Sequence, residues 1–206
     1  MILYKYYNAQ DEYTIENITK NQIHFSDVDS FDDLNDSNLI IFNKLDNSEI
    51  YNNRLQHIRV SCFSTDLSKY MWEHYANNGN GFCIGYKDDE LHKISKDIIK
   101  VQYGSEDNIK KILNNKLQEY INSGFDKKYG LVLLITAFSL KEKQFENERE
   151  MRLLSKEENH TGIKPSCIYI GDKVKEDSRK KVIEYCKRDD IKLILQNHLQ
   201  TNLFTT

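Results

Sequence analysis

The densest candidate chemistry in the chain is the run Glu148-Arg149-Glu150-Met151-Arg152-Leu153. Read as a strand, its period of two puts Arg149, Met151 and Leu153 on one face, the core side. Glu148, Glu150 and Arg152 then share the opposite face, next neighbours about 7 Å apart. Two carboxylates beside a guanidinium suit a site that needs one carboxylate ionised and oriented, and they equally suit a salt-bridged surface strand.

Three other places carry groups able to meet a ligand. On the opening strand Tyr4 and Tyr6 share a face, with Leu3, Lys5 and Tyr7 on the other, so the two tyrosines either pack a core or stack on a ring. At Cys62-Phe63-Ser64-Thr65 a strand breaks into a helix. A hydroxyl there serves as an N-cap or, with open backbone N–H groups, contacts an anion. Met71-Trp72-Glu73-His74-Tyr75 holds the only tryptophan. On a helix, Trp72 is expected to anchor inward, with Tyr75 one turn on, and His74 to reach a cleft or a buried hydrogen-bond partner.

These residues must be held by one domain spanning residues 1–206. The 206 residues carry 29 Lys plus Arg against 32 Asp plus Glu, a formal charge of −3. That argues against a protein built mainly to coat nucleic acid. Hydrophobic residues are 39% of the chain, and the 13 Tyr, 9 Phe and one Trp add enough buried surface for a folded core. The longest apolar run, Leu131 to Phe138, is too short to span a bilayer, so no membrane is expected. Met1-Ile2-Leu3-Tyr4-Lys5-Tyr6 reads as a strand and lacks the basic-then-apolar layout of a signal peptide. The four cysteines, Cys62, Cys83, Cys167 and Cys186, include no CxxC pair. They read as reduced core residues of a cytoplasmic protein, and no metal is expected.

Strands are expected at 1–7, 22–26, 57–63, 81–86, 98–103, 149–155, 166–170 and 191–196. Short helices are expected at Asp11–Lys20 and from a Ser64-Thr65-Asp66 cap through Ala76. After Ser105 the apolar set Ile109, Ile112, Leu113, Leu117, Tyr120 and Ile121 follows the 3.6-residue period. Two more helices are expected, at Tyr129–Leu140 and about 175–188. Residues 27–56, rich in Asp and Asn, read as a polar surface excursion. Strands at both ends with helices between them give an α+β class, with mixed and antiparallel sheets and inserted helices. Neither GxGxxG nor GxxxxGK[ST] occurs, so a Rossmann or P-loop reading has little support.

Taken in order, these places resemble a large bacterial group, domain of unknown function family 2971. The motifs are Tyr4-Lys5-Tyr6, Phe25-Ser26, Phe31-Asp32-Asp33, Cys62-Phe63-Ser64, Met71-Trp72-Glu73-His74-Tyr75-Ala76 and Gly81-Phe82-Cys83-Ile84. Phe145 with Glu148-Arg149-Glu150-Met151-Arg152 completes the set, over residues 4 to about 171. There are three departures from the group's pattern. Tyr7 stands where an arginine is common, Asp32-Asp33-Leu34 replaces N-D-P, and Phe145 replaces a tryptophan.

The motif order is in turn similar to ADP-ribosyltransferase folds, whose catalytic glutamate sits in a late E-x-E-like strand. That resemblance implies an NAD-consuming ADP-ribosyltransferase or NAD glycohydrolase, with NAD as substrate and no metal. Glu150 would be the catalytic carboxylate and Glu148 would orient the acceptor. Tyr4, Tyr6 and Tyr75 would supply ring contacts, His74 would line the site, and Ser64 and Arg152 would hold polar parts of NAD. Protein, nucleic acid, small molecule and water stay open as acceptor. Toxin, phage-defence effector and housekeeping enzyme stay open as role, with a cognate inhibitor or partner protein as a further expectation. The alternatives are an inactive nucleotide-sensing or partner-binding module on the same fold and, behind it, a nuclease-like enzyme.

Overall fold

Alternation decides the first element. In β1 (Ile2–Asn8) Leu3 is fully buried on one side, while Tyr4 and Tyr6 pack on the other. The computed structural model of the chain describes residues 1–11, 13–27 and 58–195. The expected excursion at 27–56 and the motif Phe31-Asp32-Asp33 therefore lie outside the described residues, apart from Asp27. After β1 come α1 (Thr14–Thr19), β2 (Ile23–His24), β3 (Ser26–Asp27), β4 (Arg59–Ser64), α2 (Lys69–Tyr75), β5 (Gly81–Lys87) and α3 (Asp88–Leu91). Next are β6 (Ile99–Lys100), β7 (Gln102–Gly104), α4 (Glu106–Asn122), α5 (Lys127–Phe138) and β8 (Leu140–Glu142). A 3-10 turn (Lys143–Glu148) leads into β9 (Glu150–Ser155), followed by β10 (Asn159–His160), β11 (Cys167–Ile170), α6 (Glu176–Arg188) and β12 (Lys192–Leu195). The class is α+β, as expected.

The chain divides into two compact units. One holds Met1–His24, Cys62–Lys96 and Asn159–Thr206, and the other Phe25–Ser61 and Asp97–Glu158. In the first, β5 is the central strand. It pairs antiparallel with β1 over its whole length, from Ile2↔Lys87 to Asn8↔Gly81, and antiparallel with β11 on its other side. β11 in turn pairs parallel with β12. The near-continuous apolar run Gly81 to Tyr86 is what a strand buried on both faces requires. Gly85 has to be glycine, because a Cβ there would come within 2.6 Å of Cys167 Sγ.

One face of that sheet gathers Tyr4, Tyr6, Cys83, Cys167 and Tyr169 against Trp72 and Ala76 of α2. Tyr6 meets Trp72 edge-to-face at 5.6 Å, and Tyr4 meets Tyr169 the same way at 6.2 Å. Trp72 is therefore the inward anchor the sequence suggested. The helix cap differs from expectation. Ser68 caps α2 by accepting from the Met71 N–H at 3.2 Å, whereas Ser64 ends β4 and its Oγ accepts from Asp66 N–H. Two turn-forming hydroxyls stand four residues apart, and the later one adjoins the helix.

In the second unit, Ser105 caps α4 and Asp126 caps α5. The buried α4 residues Ile109, Leu113 and Tyr120 follow the expected period. The single strand expected at 98–103 is two pieces. β6 pairs antiparallel with β9, then the chain turns at Val101, whose N–H donates to Glu150 O at 3.1 Å, and β7 pairs parallel with β8. The four cysteines are free, and three of them are buried. Among the described residues no helix is long and apolar enough to cross a membrane.

Trp72 is only 5% exposed in an aromatic cluster, so Trp72→Ala should cost about 3–5 kcal/mol of stability. Chemical denaturation checks this. A variant as stable as the wild type would mean that the indole does not anchor α2.

Candidate functional site

A left-handed residue shapes the acidic motif. Arg149 has φ 47° and ψ 50°, between the end of the 3-10 turn at Glu148 and the start of β9 at Glu150. That conformation is uncommon for a side chain other than glycine, asparagine or aspartate. It interrupts the period of two, which corrects the expected arrangement. Glu148 is not on the strand, and Arg149 turns outward to solvent instead of joining Met151 and Leu153. Both glutamates nevertheless end up inside, Glu148 at 3% and Glu150 at 4% exposure. Arg152 is buried as well, so the salt-bridged surface reading of this motif is overturned.

The cluster these three join has a fourth charged member. Lys141 of β8 is buried and donates to Glu148 Oε2 at 2.5 Å and to Glu150 Oε2 at 3.2 Å. Arg152 grips Glu150 with two donors, Nε to Oε1 at 2.6 Å and Nη2 to Oε2 at 3.1 Å, the bidentate geometry that guanidinium favours. Its Nη1 reaches the carbonyl of Phe138, the last residue of α5, at 3.5 Å. The Lys141 ammonium also lies 4.7 Å from the centre of the Phe145 ring, a cation–π contact. Two carboxylates thus face two cations. Charges this deep persist only when paired, since removing one partner strands the other.

Tyr103 of β7 also reaches the cluster. Its hydroxyl oxygen accepts from the Glu150 backbone N–H at 2.8 Å. Burial, ahead of the nearby Glu150 and Glu148 charges, pushes the Tyr103 phenol up to about 12, so it stays protonated at neutral pH. Neither Lys141 nor Tyr103 stands out in the sequence. Lys141 directly follows the helix expected at Tyr129–Leu140, and Tyr103 ends the strand expected at 98–103.

The remaining expected site residues lie in the other unit. Tyr4 and Tyr6 are half-buried on the aromatic face, and the Tyr6 hydroxyl donates to Asp66 O at 3.1 Å. Burial, reinforced by Cys83, pushes the Tyr6 phenol far up. Ser64 is fully buried. His74 sits at the surface: it stacks on Tyr70 at 4.1 Å, and its Nδ1 lies 2.8 Å from the Tyr70 carbonyl. Tyr75 is exposed as well. The structure thus brings Glu148, Glu150 and Arg152 into one cluster, and places Tyr4, Tyr6, Ser64, His74 and Tyr75 in the unit built around β5.

Among the described residues no group of three or more His, Cys, Asp or Glu side chains is placed to hold a metal ion. Residues 71–153 match the model of a family described as "Protein of unknown function (DUF2971)". That span runs from α2 to Leu153 of β9. It includes the Met71–Ala76, Gly81–Ile84 and Phe145–Arg152 motifs, while Tyr4-Lys5-Tyr6 and Cys62-Phe63-Ser64 fall before it. No curated protein matches the chain, and no solved structure matches it.

Tyr103→Phe removes the acceptor for the Glu150 N–H and leaves a buried donor without it. The expected cost is about 1–3 kcal/mol, read from the midpoint of urea unfolding. No change would show that water or another group takes over that N–H.

Proposed function

We propose that the chain consumes NAD, as an ADP-ribosyltransferase or NAD glycohydrolase, with Glu150 as the carboxylate that stabilises the cationic ribose. The observation supporting this reading is the preorganisation of Glu150. Both its carboxylate oxygens and its backbone N–H are held by named partners, in a place only a few per cent exposed. Breaking the bond between nicotinamide and ribose leaves the bonding pair on nicotinamide and positive charge on the ribose, as in glycoside hydrolysis. A fixed carboxylate helps such a step because it needs no reorganisation as the charge develops. Glu148 would orient the acceptor, whose lone pair closes the new bond to ribose while its proton leaves. With water as acceptor the product is free ADP-ribose. Arg152 and Lys141 are cations of the kind that hold carboxylate or phosphate oxygens.

The desolvation balance points the same way. A buried ion cluster is seldom the most stable filling of its space, since well-packed apolar residues of similar volume are often neutral or better. Four buried charges around a left-handed arginine are easier to account for by chemistry than by stability.

One observation favours the runner-up, a module that binds a nucleotide without cleaving it. Both oxygens of Glu150 are already engaged by cations, so a ribose hydroxyl has to share or displace one of them.

The two readings separate in a nicotinamide-release assay on the wild type, Glu150→Gln and Glu150→Asp, each checked for folding by near-UV circular dichroism. Glu150→Gln should lower release by about 10²-fold or more, and Glu150→Asp by less, because it keeps the charge. Equal rates would remove Glu150 from the mechanism. NAD binding by calorimetry with no release from the wild type would favour the sensing module.

A further inference from the structure

Tyr103 and Lys141 face each other as register partners in the parallel β7–β8 pair. Both reach Glu150, by different groups. The Tyr103 hydroxyl takes the Glu150 backbone N–H, and the Lys141 ammonium takes its carboxylate. The same ammonium holds Glu148, so the two Oε2 atoms lie about 6 Å apart at most, the sum of its two contacts. Neither glutamate can shift without changing the distance to that shared donor.

We propose that the β7–β8 pair is a clamp for the acidic motif and that Lys141 is its positioning residue. Lys141 sets the place of the Glu150 carboxylate against that of Glu148, while Tyr103 sets the backbone from which Glu150 projects. Among the described residues, the charged and titratable groups around Lys141 are Glu148 from the 3-10 turn, Glu150 and its partner Arg152 from β9, and Tyr103 from β7. Glu142 is its neighbour along β8. Arg152 holds Glu150 through Nε and Nη2, whereas Lys141 donates to both glutamates. The effect of the clamp on catalysis rests on the NAD reading; the coupling of the two glutamates through Lys141 does not.

The test uses the full chain with Lys141→Met, Glu148→Gln, the double variant Lys141→Met/Glu148→Gln, and Lys141→Arg. Melting temperatures are compared at pH 8 and pH 5. Lys141→Met takes from both carboxylates the cation they share, and its melting temperature should fall by roughly 10 °C at pH 8. The fall should shrink at pH 5. A carboxyl deprived of its cation takes up a proton more readily in the folded state, so the variant gains on the wild type as the pH drops. The double variant loses one carboxylate together with the cation, and it should recover most of the loss with no pH trend. If Lys141→Met does not fold, recovery in the double variant and partial retention in Lys141→Arg still decide the matter. A loss equal at both pH values, or a double variant no more stable than Lys141→Met, overturns the bridge.

Positioning is read separately, as NAD hydrolysis by folded protein. The double variant should stay at least tenfold below Glu148→Gln alone in kcat, with KM little changed. Hydrolysis recovering together with stability would reduce Lys141 to a structural residue and overturn its positioning role. If the wild type releases no nicotinamide, the NAD reading falls, and the pH dependence of melting alone still decides the bridge.

Discussion

Pairing of buried charge governs the second unit. Glu148, Glu150, Lys141 and Arg152 are each at most 5% exposed. A carboxylate or ammonium taken that deep loses hydration worth several kcal/mol, and only a close opposite charge with good geometry returns it. The partners come from separate pieces of chain: the turn at Glu148, β8 at Lys141 and β9 at Glu150 and Arg152. Satisfying the charges therefore fixes where β8, the turn and β9 lie against one another. It also draws in the end of α5 through the Phe138 carbonyl, and β7 through the Tyr103 hydroxyl. Apolar packing of α4 and α5 adds buried side chains to the unit's core, but it is non-directional and leaves this register unset.

The first unit is organised on the opposite principle. Its central strand carries no charge between Gly81 and Tyr86, and both of its edges are covered by paired strands. Its specificity comes from shape. Gly85 admits Cys167, and Tyr6 presents its edge to Trp72, an arrangement favoured by the ring quadrupole. The tyrosines of this face, Tyr4 and Tyr6 half-buried and Tyr169 buried, keep their protons, Tyr6 and Tyr169 being pushed well up chiefly by burial. This face is a packing surface with polar tips.

What could be read from the sequence was whatever local pattern decides. The α4 stripe, its Ser105 cap and the buried run at Gly81–Tyr86 announce themselves because their signals lie within a few residues. The motif Glu148–Arg152 was visible as a place of interest, but its geometry was not. One left-handed residue, Arg149, undoes the alternation, and nothing about an arginine signals φ 47°. Lys141 was hidden for a different reason. A lysine between a leucine and a glutamate looks solvated until the partner that buries it is known, and that partner is seven to nine residues away across a turn. Long-range pairing of charge leaves no periodicity, so the sequence showed the carboxylates and not the cation that joins them.

Charge balance also limits how the acidic motif can act. Among the described residues two carboxylates face two cations, and paired charges of opposite sign give a field that falls off faster with distance than that of a lone glutamate. A cationic centre several ångströms away would gain little from it. On the NAD reading, the ribose has to come into contact with the Glu150 carboxylate itself, and the benefit depends on which oxygen it meets. Oε1 is tied to Arg152 Nε at 2.6 Å, whereas Oε2 is shared between Lys141 and Arg152 at 3.2 and 3.1 Å. Whichever oxygen it meets, a ribose hydroxyl has to share or displace a charge-assisted hydrogen bond. Lys141 is one of the donors it would compete with, and the same ammonium holds Glu148.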